Sequence, residues 1–324
     1  VVTNHPIKSI AAPLWSILGG SGLVHSWLAY PAGIRDPRGI LALAREVRSF
    51  RPELLVYLSG ECSTRRAVRD ALFFKLCGIR SIIGIPYTRD AQEHRWLADQ
   101  GYYEPEAVRL GRCIEALGDV RLEDRANWDL RLTSSELDRA RELLQSWPGR
   151  SDFVVCSIGT KFEVNKWGIS KWNRLLARLA GEYRGLGLVM IGSNEEHHLS
   201  AQASAGWSGP LLNLCGAVTP REAAAVLGQA AAFMGHDSGP MHLAAAMGVR
   251  CAVVFSARWK PRIWFPWGNG HHVVYHRMPC WGCRLERCVE LKKACIESVT
   301  VDEMHAAAKA VIDRAREARQ AAAP

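Results

Sequence analysis

A chain of 324 residues with 48% hydrophobic composition is long enough to bury two cores, so a soluble globular protein of two domains is the first expectation. No apolar run approaches the roughly 20 residues that cross a bilayer, and the start, VVTNHP, lacks both the charged-then-apolar order of a signal peptide and an initiator Met, so residues are expected upstream. The net charge of +9 and a pI near 9.2 favour anionic partners (nucleotides, phosphorylated lipids, a membrane face or nucleic acid), with a merely solvated basic surface an equal alternative.

Short apolar runs alternate with amphipathic stretches along the chain, the βαβ pattern of parallel sheets covered by helices. In the first half, strands are predicted at Val1–Thr3, Val24–Tyr30, Leu54–Leu58 and Ser81–Ile85, with a helix over Arg38–Phe50 whose arginines lie opposite its apolar face. After residue 100 the chain turns more polar. Ser134 or Ser135 is a candidate cap for a helix ending near Gln145, and Trp147-Pro148-Gly149 stops it. The domain boundary is placed there, giving domains 1–148 and 149–324.

The second half repeats the pattern with strands at Phe153–Ser157, Leu186–Ile191, Leu211–Cys215, Ala231–Met234 and Cys251–Phe255. Thr219, Pro220 and Glu222 spell a capping box with proline at the first helical position. A ligand is expected in a cleft between the domains, at the carboxyl ends of the strands. Six of the ten cysteines are scattered through apolar segments, unlike a secreted disulfide framework, so a reducing cytoplasm is the simpler home.

One stretch carries the most chemistry: GHDSGPMHLAAA, residues 235–246, at the mouth of an alanine-rich helix. The first-turn N–H groups, the hydroxyl of Ser238, the bare Gly239 and His242 one turn in make an anion site. Asp237 would repel a phosphate and is better read as an acceptor for sugar hydroxyls, although Asp237 and Ser238 could instead simply cap the helix. Neighbouring strand ends add to this. The loop SIGTKFEVNKW offers Thr160, Lys161 and Lys166 for a diphosphate, against the plainer reading of solvated lysines. Glu195 and Glu196 follow the second strand of this half, where an acid can hold a ribose diol or sit in a first helical turn. Neither G-x-G-x-x-G nor G-x-x-x-x-G-K-[ST] occurs, which argues against hydride transfer and P-loop hydrolysis.

GHDSGPMHLAAAMG, with SIGTKFEVNKWGISKW, VMIGSNEE and LCGAVTPREAAAVL, resembles glycosyltransferase family nine, the lipopolysaccharide heptosyltransferases. The resemblance covers residues 150–312 well and the first half in outline. It implies an α/β GT-B fold: two Rossmann-like domains with parallel sheets facing across a cleft, the C-terminal one holding the nucleotide-sugar donor and the N-terminal one the acceptor. It also implies inverting, metal-independent transfer from a donor such as ADP-heptose to a lipid-linked or oligosaccharide acceptor, with peripheral contact at the anionic inner face of the cytoplasmic membrane. By motif, Thr160 and Lys166 would contact the diphosphate beside Ser238, Gly239 and His242. Glu195 or Glu196 would hold the ribose, and Asp237 the transferred sugar. Family members usually begin with a strand, a Gly-Asp turn and a helix, whose acid looks like the general base. VVTNHP resembles the second strand of such a domain, so the first strand-helix unit and the base are expected to be missing. His5, His25 and Glu61 are the nearest substitutes, each better explained structurally.

The segment CWGCRLERCVELKKAC places Cys280, Cys283, Cys288 and Cys295 close together, with basic residues that favour thiolates. The Cys-x2-Cys pair suits a metal knuckle, but the later spacings do not repeat it. A local staple is expected, either structural zinc or a disulfide, outside the chemistry. No cofactor is expected in catalysis. Two alternatives stand beside the transferase: a nucleotide-sugar binding protein or epimerase-like enzyme of the same fold, and a zinc-dependent nucleic-acid module, which the dispersed basic residues disfavour.

Overall fold

The protein is described from a computed structural model over residues 1–5, 13–60, 62–145 and 152–321. The boundary expected at 148 and the candidate Glu61 lie outside the described residues, as does the side chain of His5. The chain divides into two compact units, Val1–Lys8 with Ser26–Asn127 and Pro261–Trp264, and Ser9–His25 with Trp128–Lys260 and Phe265–Pro324. Among the described residues no helix is long and apolar enough to cross a membrane.

The larger unit is built on a six-stranded sheet in the order His272–Tyr275, Cys251–Phe255, Ala232–His236, Phe153–Ser157, Gly187–Met190, Leu211–Asn213, with every neighbouring pair parallel. Alternate residues of the central strands, among them Val154, Cys156, Met234 and Val254, face a core completed by the helices Ile169–Glu182 and Val301–Ala321. The intervening Val155, Val189, Phe233 and Val253 are equally inaccessible to solvent, so both faces are covered, as a parallel sheet requires. This double burial is why the strands read as continuous apolar runs in the sequence.

The predicted capping box forms as expected: Thr219 accepts from the Glu222 N–H, and Glu222 accepts from the Thr219 N–H. The helix Ser134–Gln145 is capped differently from the prediction. Thr133, not Ser134 or Ser135, exchanges hydrogen bonds with Glu136 at the helix start. The edge strand His272–Tyr275 was not predicted, because it is only partly buried and shows little of the apolar signal of its neighbours.

The smaller unit has only short ladders: Val2–His5 beside Leu28–Pro31, Leu54–Val56 beside Ser81–Ile83, both parallel, and the antiparallel pair Trp96–Leu97 and Tyr102–Tyr103. Its helix Pro37–Ser49 starts at Asp36, which accepts from the Gly39 N–H, and buries Leu43 and Val47 against Leu28 and Ile79. The strand predicted from Val24 begins only at Leu28, and His25 is exposed in a bend and grouped with the larger unit. What the small apolar core lacks, a buried ion cluster supplies. Arg109, fully buried, clamps both oxygens of Glu106 and donates to the carbonyls of Ser59 and Ala91. Burial would raise the pKa of Glu106, yet the hydrogen bonds from Arg109 and His94 hold it below the usual carboxylate range.

Candidate functional site

The helix Gly239–Ala246 follows the strand Ala232–His236 after only Asp237 and Ser238, which places the predicted anion site at the carboxyl edge of the larger sheet. Ser238 is the N-cap residue by backbone conformation but makes no capping hydrogen bond. Its hydroxyl donates instead to the His236 carbonyl at 3.4 Å. The simple helix-cap reading therefore fails for this side chain. The Met241 N–H, expected to be available to a ligand, donates to the Ser238 carbonyl in the first turn. Gly239 is exposed, and a Cβ added there would meet nothing within 4 Å, so a ligand can approach its backbone closely.

His236 explains how distant loops reach this turn. It is buried, and its Nε2 accepts from the Trp167 backbone N–H and from the Trp172 indole, each at 3.2 Å. Accepting at Nε2 puts the proton on Nδ1, which faces the Ile158 carbonyl without closing a hydrogen bond of normal geometry. Burial lowers its pKa to about 3, so it is neutral. The tie fixes the backbone of Trp167, whose neighbour in sequence is the exposed Lys166, at the strand end of His236.

Asp237 is partly buried, and desolvation pushes its pKa up to about 6 against the opposing effects of Arg258 and of Asn165, whose amide donates at a long 3.5 Å. Asn165 is itself fixed, accepting from Ser256 Oγ at 2.6 Å. Arg258 is buried over the Phe162 ring and donates to the carbonyls of Leu285 and Arg284. Asn165 and Arg258 were missed in the sequence. Asn165 stands inside the loop containing Thr160 and Lys166, and Arg258 follows a strand end, so the rule that ligands gather at carboxyl ends could have found both.

The remaining predicted residues are placed less uniformly. Thr160 is buried, and its hydroxyl reaches the Phe162 carbonyl of its own loop at 3.5 Å. His242 is an exposed residue of the first turn, and desolvation by the protein atoms around its ring lowers its pKa, leaving it neutral at pH 7. Glu195 is exposed, while Glu196 is the acid of a second capping box and accepts from the Ser193 N–H. The Glu196 carboxylate lies so close to Gly159 and Gly192 that a Cβ on either would fall 1.8 Å and 2.4 Å from its oxygens. Those glycines let an acid rest across two strand ends. Gly159→Ala is expected to displace the Glu196 carboxylate and cost about 1–3 kcal/mol, as other overpacking changes do, which a denaturant titration will measure.

The four cysteines of 280–295 carry no disulfide, and among the described residues no three His, Cys, Asp or Glu side chains come together as a metal site. The segment nevertheless touches the loops above. Glu286 accepts from the Val164 N–H, and Lys293 donates to the Lys166 carbonyl.

A parallel sheet of this order with amide, cation and carboxylate at its strand ends, in a chain with a second α/β unit, is a GT-B-like architecture. Solved structures agree on the fold. A family 9 glycosyl transferase from Veillonella parvula matches with a TM-score of 0.66 at 13% identity, over 93% of this chain and 86% of that one. The E. coli ADP-heptose lps heptosyltransferase II matches at 0.54 and 17% identity over 89% and 84%, and E. coli heptosyltransferase WaaC with ADP at 0.54 and 15% over 89% and 83%. No curated protein matches the sequence. Residues 64–294 match the profile of glycosyltransferase family 9 (heptosyltransferase), and the chain belongs to that family. It is a glycosyltransferase, moving sugar from a nucleotide-sugar to an acceptor, which displaces the nucleic-acid module.

Proposed function

We propose that the protein transfers a heptose-like sugar from a donor such as ADP-heptose to a lipopolysaccharide-type or other oligosaccharide acceptor, with inversion and without a catalytic metal. On this reading it works in the cytoplasm, in peripheral contact with the inner membrane face. What supports the reading is the meeting of Asn165, Asp237 and Arg258 beside the open turn at Gly239 on one sheet edge, with Lys166 next in the chain to Asn165. Lys166, Thr160, Ser238, Gly239 and His242 serve the diphosphate, through cationic, hydroxyl, backbone and imidazole donors. Glu195 or Glu196 accepts from the ribose hydroxyls. Asp237, held between an amide and a guanidinium, accepts from hydroxyls of the sugar.

Calorimetric titration with a nucleoside diphosphate and with its sugar conjugate tests these roles. Lys166→Ala is expected to weaken both by about 1.5–3 kcal/mol, the scale of a charge-assisted hydrogen bond. Asp237→Ala should weaken only the sugar conjugate, and equal losses for the two ligands would remove Asp237 from the sugar. Because Asp237 accepts best when ionised, the extra affinity for the conjugate should decline as pH falls through about 6. A panel of ADP-, UDP-, GDP- and CMP-sugars in thermal shift identifies the donor, since a ligand that binds the folded state alone raises its stability.

A further inference from the structure

We infer that residues 284–292 dock the larger unit on an anionic lipid surface. Leu285, Val289 and Leu291 stand close together in the chain, are 47%, 73% and 50% exposed, and line one hollow of about 370 Å³ together with Met278. Val289 is the most exposed large apolar side chain among the described residues. Single exposed leucines need no explanation, but three such side chains around one hollow form a patch. Cys280, Cys283, Cys288 and Cys295 complete its wall, and free thiols behave there as small apolar groups. Burial pushes the pKa of Cys295 up, which keeps that thiol neutral.

The charge around the patch selects its partner. Between 277 and 293 stand five basic residues and two carboxylates. Arg287 and Glu290 both line the hollow, and Lys292 is exposed next to Leu291. Glu286 acts on the Arg258 guanidinium, and Lys293 pairs with Glu163 and Glu297. Arg277 lies 3.8 Å from the ring centroid of the half-buried Trp281, and Arg284 lies 5.3 Å from that of Trp259. Such cation–aromatic pairs suit the headgroup level, where one end of the group is apolar and the other wet. Apolar tips set among cations match a bilayer with anionic headgroups: its chains take the leucines and valine, and its phosphates take the cations. A second copy of this chain fits less well, since a net charge of +9 would set like charges against each other.

The segment presents these side chains from a fixed backbone. Gly282 N–H donates to the Ala257 carbonyl at 2.7 Å, Arg284 N–H to the Arg258 carbonyl at 3.0 Å, and Val164 N–H to the Glu286 carbonyl at 3.1 Å. Those bonds tie it to the two loops that carry Asn165 and Arg258, so docking brings the candidate donor site to the headgroup layer. The inference rests on the membrane contact of the proposed function and names the surface that makes it.

The full chain is sedimented with vesicles of phosphatidylcholine alone and of phosphatidylcholine mixed with phosphatidylglycerol. Binding is expected to the anionic vesicles and not to the neutral ones, and should fall as salt is added. Arg287→Gln combined with Lys292→Gln should weaken it about 30-fold, roughly 5-fold for each charge, and Glu290→Gln should strengthen it. Val289→Asp combined with Leu291→Asp should weaken it about 10-fold or more, while ADP affinity in calorimetry stays as in wild type. Should a variant fail to fold, the wild-type chain decides: anionic vesicles should slow amide hydrogen exchange within 276–293. A wild-type chain that stays in the supernatant, binds neutral vesicles equally well, or gains protection only elsewhere overturns the docking surface. Binding that survives both double substitutions overturns it too. Vesicle binding needs no donor, so a chain that binds ADP but no vesicles refutes this surface alone, and one that binds vesicles but no nucleotide-sugar refutes the donor reading alone.

Discussion

His236→Leu is expected to destabilise the protein by about 2–5 kcal/mol, because it orphans two buried donors at once, each worth roughly 1–3 kcal/mol when left unsatisfied. Leucine is close to histidine in size, so lost packing contributes little, but it offers no acceptor to the Trp167 N–H or the Trp172 indole. Urea unfolding of wild type and variant measures the difference. The pH dependence carries an independent signature. Burial lowers the folded-state pKa of His236 from 6.5 to about 3, so between those values the unfolded chain binds a proton that the folded chain refuses. His236 therefore makes the wild type lose about 1.4 kcal/mol for each unit of pH below 6.5, down to about 3, and His236→Leu should lack that component of the slope. Identical slopes for the two proteins would show that the imidazole is not held neutral. Donor affinity should fall together with stability, since Lys166 adjoins the released Trp167.

Arg221→Met is expected to cost about 3–5 kcal/mol, the scale for breaking a buried ion pair and leaving its partner uncompensated. The guanidinium is nearly inaccessible. It donates to both Glu136 oxygens at 2.6 and 2.9 Å and to the carbonyls of Ile17, Leu130 and Arg131. One side chain thus ties two separated stretches of the larger unit, at Ile17 and at 130–136, to the helix Pro220–Leu227. Arg221 and Thr133 lower the pKa of Glu136. Its contribution is present above the unfolded value of about 4.5 and is lost as pH falls through the folded value. Glu136→Gln keeps the shape and loses the charge, so it should cost less, about 1–3 kcal/mol. A midpoint for Arg221→Met within 1 kcal/mol of wild type in chemical denaturation would show that the carbonyls find water instead.

The larger unit was more legible than the smaller. Its central strands are buried on both faces and the helix Pro220–Leu227 starts at a capping box, so these elements announce themselves within about ten residues. The smaller unit has half-buried strands of two to four residues, and the strand expected from Val24 starts at Leu28 because only Leu28 onward pairs with Val2–His5. Its ion cluster around Arg109 joins residues up to 50 apart, and no local pattern marks that arginine as buried.

The same division runs through the candidate site. Residues 231–246, by themselves, determined a strand, a turn and a helix with an open glycine, since a continuous apolar run, proline at the helix start and absence of a Cβ act over neighbouring positions. Only the tertiary structure decided that His236 is a buried anchor, that Glu196 rests against Gly159 while Glu195 is exposed, and that Asn165 and Arg258 flank Asp237. Each of those outcomes depends on which distant group fills a side chain's surroundings. A buried polar atom is stable only where packing brings it a partner, and that partner stands 69 residues away for His236 and 72 for Asp237.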